Sequence, residues 1–386
     1  MRLNKRGAAA GAAALLIGLT LTACGEAETG GSGGSGGGQC AGKIGFMGAL
    51  SGSNASVVTP SRDGAKLALE QWSEENDDCK IEMVEFDTEG DPAKATPVAD
   101  QMVANDDFLG VIGGAFSGET DATKGLFAEG GLTMISQSAT NTALTQENPS
   151  PVFHRVVGYD EVQGAAIAKY LTDVLSAKKV FVVDDGTTYG GPLGDKIKSE
   201  LGDSLADSDK TQEGQTDFSA VVGKISQASP DAVVYAGYAA EAGPFVKQLR
   251  AEGVDVPFVG GDGIYGSDFP TAAGDAAEGA IITCPCLPAD QAEGSFAEDF
   301  EAAYDTAPGA YAAEGFDAMN IFLAAFKDGV DSREKMEEFV DNYEGDGITK
   351  SYAFDENGDV TLDNVVIWAY KVEGGVLTAD QEISLQ

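Results

Sequence analysis

Positive charge is scarce: 24 Lys and Arg stand against 63 Asp and Glu, a formal net charge of −39. Nucleic-acid binding rests on neutralising phosphates with Lys and Arg, so this balance excludes a nucleic-acid partner. Histidine is nearly absent, with His154 the one example, which leaves little for imidazole catalysis or a histidine-rich metal site. Past the first two dozen residues no apolar run is long enough to cross a membrane. Yet hydrophobic residues make up 43% of the chain, too many for a wholly disordered one. A length of 386 residues suggests about two domains.

The chain begins with Arg2, Lys5 and Arg6, followed by an uncharged run from Ala8 to Leu21, the layout of a secretory signal peptide. That run ends in Leu21-Thr22-Ala23-Cys24, which resembles a bacterial lipobox, whose cysteine is acylated and becomes the first residue of the mature chain. An ordinary signal peptide that happens to end in cysteine is the other reading. Residues 1–23 are therefore expected to be a lipoprotein signal peptide, and 24–39, dominated by Gly30 to Gly38, a flexible tether. The body is expected to be extracytoplasmic and anchored to the cell membrane through lipid on Cys24.

Four further cysteines suit an oxidising compartment. Cys40 and Cys79 each stand just before an apparent strand, so a bridge can form if those strands are parallel neighbours. Cys284-Pro285-Cys286 either closes a small ring or stays reduced. Neither pair has the further ligands that a zinc site needs, and no metal or other cofactor is expected.

From residue 43 short apolar runs alternate with amphipathic stretches: Lys43 to Leu50, then Asp63 to Glu75; Ile81 to Phe86, then Pro92 to Asn105; Leu109 to Gly113, then Glu119 to Ala128; Thr133 to Ser136, then Asn141 to Leu144. Period two followed by a period near 3.6 predicts an α/β protein with parallel sheets covered by helices. The pattern restarts after residue 160 and runs to the strand Ala280 to Thr283, so two units of similar design follow one another. Three helices without strands come next, and then Tyr352 to Phe354 and Val365 to Tyr370 flank Asn357-Gly358, a hairpin signal. The Asp355 to Asp359 stretch superficially suggests a calcium loop, but Val360 occupies the position that requires glycine.

Ligands of open parallel sheets bind beyond the strands' carboxyl ends, where helix amino termini offer unpaired N–H groups. In the first unit those positions carry Ser51, Asp87, Ser117 and the run Ser138-Ala139-Thr140-Asn141; in the second, Asp184, Asp185, Tyr189, Tyr238 and Asp262. Hydroxyls and N–H groups suit a carboxylate, whereas a carboxylate flanked by aromatic rings suits an ammonium. An α-amino acid satisfies both sets. Singly, each residue is also explained as an N-cap, a packing side chain or a turn.

These residues carry a family resemblance. Met47-Gly48-Ala49-Leu50-Ser51-Gly52, Asp87 with Gly90-Asp91-Pro92, Met134-Ile135-Ser136 with Ala139-Thr140-Asn141, Asp184 with Tyr189-Gly190, Asp217-Phe218-Ser219 and Gly274 to Gly279 follow in unbroken order. The chain from residue 43 to about 370 resembles the branched-chain amino-acid-binding proteins of ABC importers. The resemblance implies a type I periplasmic-binding-protein fold, two Rossmann-like lobes joined by a three-segment hinge. Lobe 1 would comprise 40–157 and 286–351, and lobe 2 158–285 and 352–386. It implies a monomer that clamps a small amino acid and presents it to a membrane permease. Carried over residue by residue, Ser117 and Thr140 would hold the ligand carboxylate, the backbone at Ser138 would contribute to the amino group, Asp262 would pair with the ammonium, and Ala139 would count among the ligand-binding residues. Tyr189 and Tyr238 would line the cleft. The chain departs from the family pattern at Val57 and near Ala313, where aromatic residues are common, implying a larger or differently shaped side-chain pocket and leaving amide or urea ligands open. The resemblance places Cys284 to Cys286 at an inter-lobe crossing, where a bridge would stiffen the hinge.

An enzyme is not expected. Ser117-Gly118 fails as a nucleophile elbow because position 115 is Ala. Gly261 to Gly266 fits a dinucleotide pattern, but away from the usual first turn and with Asp262 where pyrophosphate must approach. A ligand sensor on the same scaffold is the remaining alternative.

Overall fold

The computed structural model describes residues 40–361 and 365–385. The expected signal peptide, Cys24 and the whole of the expected tether, residues 1–39, lie outside these residues.

Five strands form the first sheet: β1 (Ala41–Gly48), β2 (Lys80–Asp87), β3 (Phe108–Ile112), β4 (Thr133–Ser136) and β5 (Phe153–Arg155), all parallel, in the order β2-β1-β3-β4-β5. The chain then builds β6 (Val180–Asp184), β7 (Leu205–Lys210), β8 (Ala232–Ala236), β9 (Phe258–Gly260) and β10 (Ile281–Cys284). After three helices come the two-stranded β11 (Glu344–Asp346) and β12 (Ser351–Ala353). Finally β13 (Trp368–Glu373) and β14 (Val376–Glu382) join the second sheet, ordered β14-β13-β10-β9-β8-β6-β7, with β13 antiparallel to both neighbours. Strands β3, β6 and β8 are buried throughout, as continuous apolar runs in a sheet covered on both faces require.

The helices of residues 296–341 return to the first sheet although they follow the second. Helix Ala312–Lys327 lies against helix Ala55–Glu75, and small residues set the approach. A Cβ on Gly64 would collide with the Ala312 carbonyl, and one on Gly315 with that of Ser61. Helix Ala55–Glu75 begins eight residues before the expected Asp63, with Pro60 inside its second turn. The guanidinium of Arg333 fastens helix Arg333–Asp341 by donating to the carbonyls of Met102, Val103, Asn105, Phe108 and Gly130.

Both cysteine pairs are bridged. Cys40–Cys79 joins the amino ends of β1 and β2, which are parallel neighbours as the bridge required. Cys284–Cys286 sits buried where the chain leaves β10, and Tyr370 donates to the Cys286 carbonyl at 3.1 Å.

Two expectations need correction. Asn357-Gly358 is a turn, but it joins Phe354 to Val360, while 368–373 pairs with β10 and β14 in the other sheet. Residues 352–361 likewise do not begin lobe 2. Arg155 N–H donates to the Gly358 carbonyl, and Asp359 lies beside β5 and is buried against the Arg155 guanidinium. The Asp359 carboxylate also accepts from Thr145 and Gln146, both at 2.8 Å. A charge that deep is tolerable only next to its partner, and the partner is in the first lobe. Asp359→Ala, which strands the Arg155 charge, is expected to lower the unfolding free energy by about 3–5 kcal/mol. Urea denaturation followed by circular dichroism reads that change.

Candidate functional site

The loops after β3 and β4 meet at the carboxyl edge of the first sheet. Ser117 opens helix Ser117–Gly130, and its Oγ accepts the Asn141 N–H at 3.2 Å, tying the two loops together. Beneath them Glu119 accepts from the Phe116 N–H at 3.1 Å and from the Thr88 hydroxyl. Burial outweighs those donors and pushes its carboxyl up to about 7. The Ser138 hydroxyl donates to the Ala115 carbonyl at 2.7 Å. Ala139 is spoken for on both sides, its N–H by Ser136 Oγ at 2.9 Å and its carbonyl by Arg155 at 3.1 Å. Both backbone groups of Ala139 are thus engaged within the loop.

The second lobe supplies Tyr189, Tyr238 and Asp262. Tyr189 donates its hydroxyl to Asp262 Oδ1 at 2.8 Å and accepts the Gly263 N–H at 3.2 Å. Tyr238 packs between rings, 5.2 Å from Tyr189 and 5.0 Å from Phe116. Asp262 is buried, which raises its pKa, while hydroxyl donors counter that rise. Its second oxygen accepts from Tyr311 at 2.6 Å. Tyr311 comes from the returning helices, so this bond crosses between lobes.

Ser117 and Ser138 thus share one enclosed cavity with Tyr189, Tyr238 and Asp262, walled by Val57, Phe116 and Tyr311. The cavity measures about 10 Å³, the space of one water. The lobes are closed on it by direct bonds: Asn141 Nδ2 to the Thr188 carbonyl at 2.5 Å, the Ala240 N–H to Asn54 Oδ1 at 3.2 Å, and a reciprocal pair between Ser56 and Asp268, each 3.1 Å. Val57 lines this cavity, and Tyr311 gives the space near Ala313 its shape. Tyr311, two residues before Ala313, swings its ring into the space at a left-handed φ of 57°. A groove of about 420 Å³ lies elsewhere, along Lys43, Lys80 and Asp107 at the strands' amino ends. It is open to solvent and lacks the helix amino termini that face the closed cavity.

Sequence reasoning missed Tyr311 and the acid Asp160. Asp160 opens helix Asp160–Lys169, and its N–H donates to the Thr140 carbonyl at 2.8 Å. Burial, and then the nearby Asp262 charge, push its carboxyl up to about 8; the adjoining Thr140 hydroxyl and Arg155 temper the rise. An aromatic and an acid at the starts of two helices were the available signals. Both read equally well as helix-terminal residues. Other acids considered from sequence are structural: Asp87 accepts from Leu50 and Ser51, and Asp184 pairs with Lys198 and Lys210. His154 pairs with Asp341 at 2.9 Å.

A family model described as periplasmic binding protein matches residues 42–374. The chain belongs to the periplasmic binding protein family. This binding protein is 28% identical over 340 residues to an amino acid binding protein of Pseudomonas aeruginosa, covering 86% of this chain and 90% of that one. It is 30% identical over 335 residues to a Leu/Ile/Val-binding protein homolog of Brucella abortus, covering 84% and 89%. Among solved structures it is similar to a branched-chain amino acid transporter substrate binding protein of Streptococcus pneumoniae in complex with isoleucine. That pair shares 27% identity with a TM-score of 0.81, over 88% of this chain and 99% of that one. A solute binding protein of R. palustris in complex with benzoate shares the fold at 20% identity and a TM-score of 0.76, over 89% and 96%. The α/β architecture and the family resemblance read from the sequence are both as expected.

In this binding protein burial pushes the Asp160 carboxyl from its ordinary 3.8 up to about 8. Between those values the folded form keeps a proton that the unfolded form has lost, so Asp160 makes stability fall as pH rises. Its share of the slope is up to about 1.4 kcal/mol per pH unit. Asp160→Asn should flatten that fall and be more stable than the parent at pH 8, as read by urea denaturation from pH 4 to 8.

Proposed function

We propose that this protein is the extracytoplasmic substrate-binding lipoprotein of an ABC importer. It clamps a small aliphatic amino acid between its lobes and hands it to a membrane permease. The carrying observation is the cavity in which serine hydroxyls and the amino terminus of helix Ser117–Gly130 stand with the buried Asp262 carboxylate. Hydroxyls and helix-terminal N–H groups receive the ligand carboxylate. The Asp262 carboxylate receives its ammonium. Charge-assisted hydrogen bonds of this kind contribute about 1.5–3 kcal/mol each, and Val57, Phe116 and the tyrosines sort ligands by the shape of what lies between. The family membership and the amino-acid-binding names of its relatives support the reading. No step of bond making or breaking on the ligand is involved.

Closure down to the space of one water means that binding requires the lobes to part and then close again on the guest. The test is calorimetry on the full-length protein, refolded to strip co-purified ligand, against amino acids, their amides and esters, urea and small carboxylic acids. One-to-one binding of an aliphatic amino acid, abolished by blocking either end, is the expected result. Binding of amides or simple acids alone overturns the amino-acid reading and leaves the clamp.

A further inference from the structure

The first turn of helix Ser117–Gly130 carries an acid of its own. Glu119 is fully buried there, two residues after Ser117. Its Oε2 accepts the Phe116 N–H at 3.1 Å and its Oε1 accepts the Thr88 hydroxyl, so it joins the loop after β3 to the loop after β2. The packing around it is close, since a Cβ on Gly114 would stand 2.9 Å from that of Glu119. Thr88 is itself held in place: its N–H donates to the Gly48 carbonyl at 3.0 Å, and its hydroxyl oxygen accepts the Gly90 N–H at 3.3 Å.

An acid at the third position of a helix is ordinarily an exposed capping group, ionised and favoured by the helix dipole. Glu119 is instead removed from water. Its donors are the neutral N–H groups of Ala115 and Phe116 and the Thr88 hydroxyl, and the charge that faces it from the loop after β2 is Asp87, of the same sign. From the second lobe the Tyr238 phenol faces it, held neutral by burial. A ligand carboxylate seated beside Ser117 brings a second anion to the same helix terminus, where the Phe116 N–H is already committed to Glu119. Like charges crowded together in a dry site favour protonation of one of them. Glu119 is the one that holds a proton more readily: burial has pushed its carboxyl up to about 7, whereas an α-carboxyl ordinarily titrates at about 3.5.

We propose that Glu119 is a positioning residue for the carboxylate end of the ligand, acting through the Phe116 N–H, and that it takes up a proton from solvent as that carboxylate docks. The inference rests on the reading that an amino-acid carboxylate is received at Ser117. The carboxylate of Glu119 and one proton give a neutral carboxyl, and no bond of the ligand changes. The neutral group still accepts the Phe116 N–H through one oxygen, while its own O–H turns to the Thr88 hydroxyl. Below neutral pH the ligand-free form already carries this proton, and binding needs none. Above neutral pH the proton has been lost and must be regained on binding, so affinity falls as pH rises.

The test is calorimetry on the full-length parent, Glu119→Gln and Thr88→Val from pH 5.5 to 8.5, each pH in two buffers of different ionisation heat so that protons taken up are counted. The probe is whichever amino acid the parent binds, with its carboxamide as control. Glutamine keeps the acceptor for Phe116 and a donor for Thr88, and stands in for the protonated acid. Glu119 is expected to weaken binding by about tenfold between the ends of that range. Glu119→Gln should lack that fall, keep the parent's low-pH affinity throughout and take up correspondingly fewer protons. Asp160 and Asp262 also titrate near the cavity, but they act alike in parent and variant, so the difference between the two profiles belongs to Glu119. Thr88→Val removes a donor to the ionised form and should move the fall to higher pH, with circular dichroism unchanged. A Glu119→Gln profile parallel to the parent's, equal proton uptake in both, or an unmoved profile in Thr88→Val overturns the proposal while the amino-acid reading stands. A parent that binds the carboxamide as well as the acid overturns the carboxylate reading and this proposal with it.

Discussion

The arrangement around the cleft hangs on one buried guanidinium. Arg155 is fully shielded at the end of β5 and donates to Asp359, Thr145 and the carbonyls of Ala139 and Asn141, with the Tyr159 ring 5.0 Å away. Its planar fork imposes directions as well as charge. The loop after β4, which carries Ser138 and Thr140, is thereby set relative to the first crossing. The strip around Asp359 is drawn to the first sheet by the same side chain. A buried pair of this kind is weak evidence for net stability, because desolvation offsets much of its attraction. What it enforces is geometry, since any rearrangement that parts Arg155 from its acceptors leaves a bare charge in the interior.

A second buried group sits under the hinge. Lys350 donates to the Val156 carbonyl at 2.9 Å, on the first crossing, and Glu314 accepts the Leu287 N–H at 2.8 Å, on the second. Asp317 binds Ile348, Thr349 and Tyr352 beside them. The crossings are thus tied to helix Ala312–Lys327 by several bonds, and the Cys284–Cys286 ring holds one of them locally. The bonds that close the cleft are of another kind. They are few, they involve Asn, Ser, Tyr and single carboxylates, and each contributes about 0.5–3 kcal/mol. A stiff hinge with a weakly closed mouth is what a reversible clamp needs.

Much of this was legible in the sequence, for identifiable reasons. Strands such as Val180–Asp184 and Ala232–Ala236 announce themselves because both faces of a parallel sheet are buried and leave no room for polar side chains. The edge strand Leu205–Lys210 was missed: it carries three charged residues, is mostly exposed, and owes its conformation to pairing with β6. The first turns of helix Ala55–Glu75 were hidden by Pro60 and small polar residues, which only the packing against helix Ala312–Lys327 overrides. Asn357-Gly358 marked a turn correctly, but a turn does not name the strands it serves. At the site, topology placed Ser117, Ser138, Tyr189, Tyr238 and Asp262 around one cavity. Asp160 and Tyr311 escaped because their roles come from contacts between segments distant in the chain.

The chain's acidity gives the cleft its particular problem. In a protein with 63 carboxylates most are solvated and cost little, so a strongly negative surface needs no local explanation. Asp160, Asp262, Glu119 and Glu314 are the exceptions, each removed from water with its pKa raised by burial. Glu119 and Glu314 have backbone donors, and Asp262 has two tyrosines. Asp160 has the Thr140 hydroxyl and, farther off, Arg155 to temper its rise, at the point where the chain crosses from one lobe to the other. The same fold accommodates guests of unlike chemistry, so the scaffold does not choose the ligand.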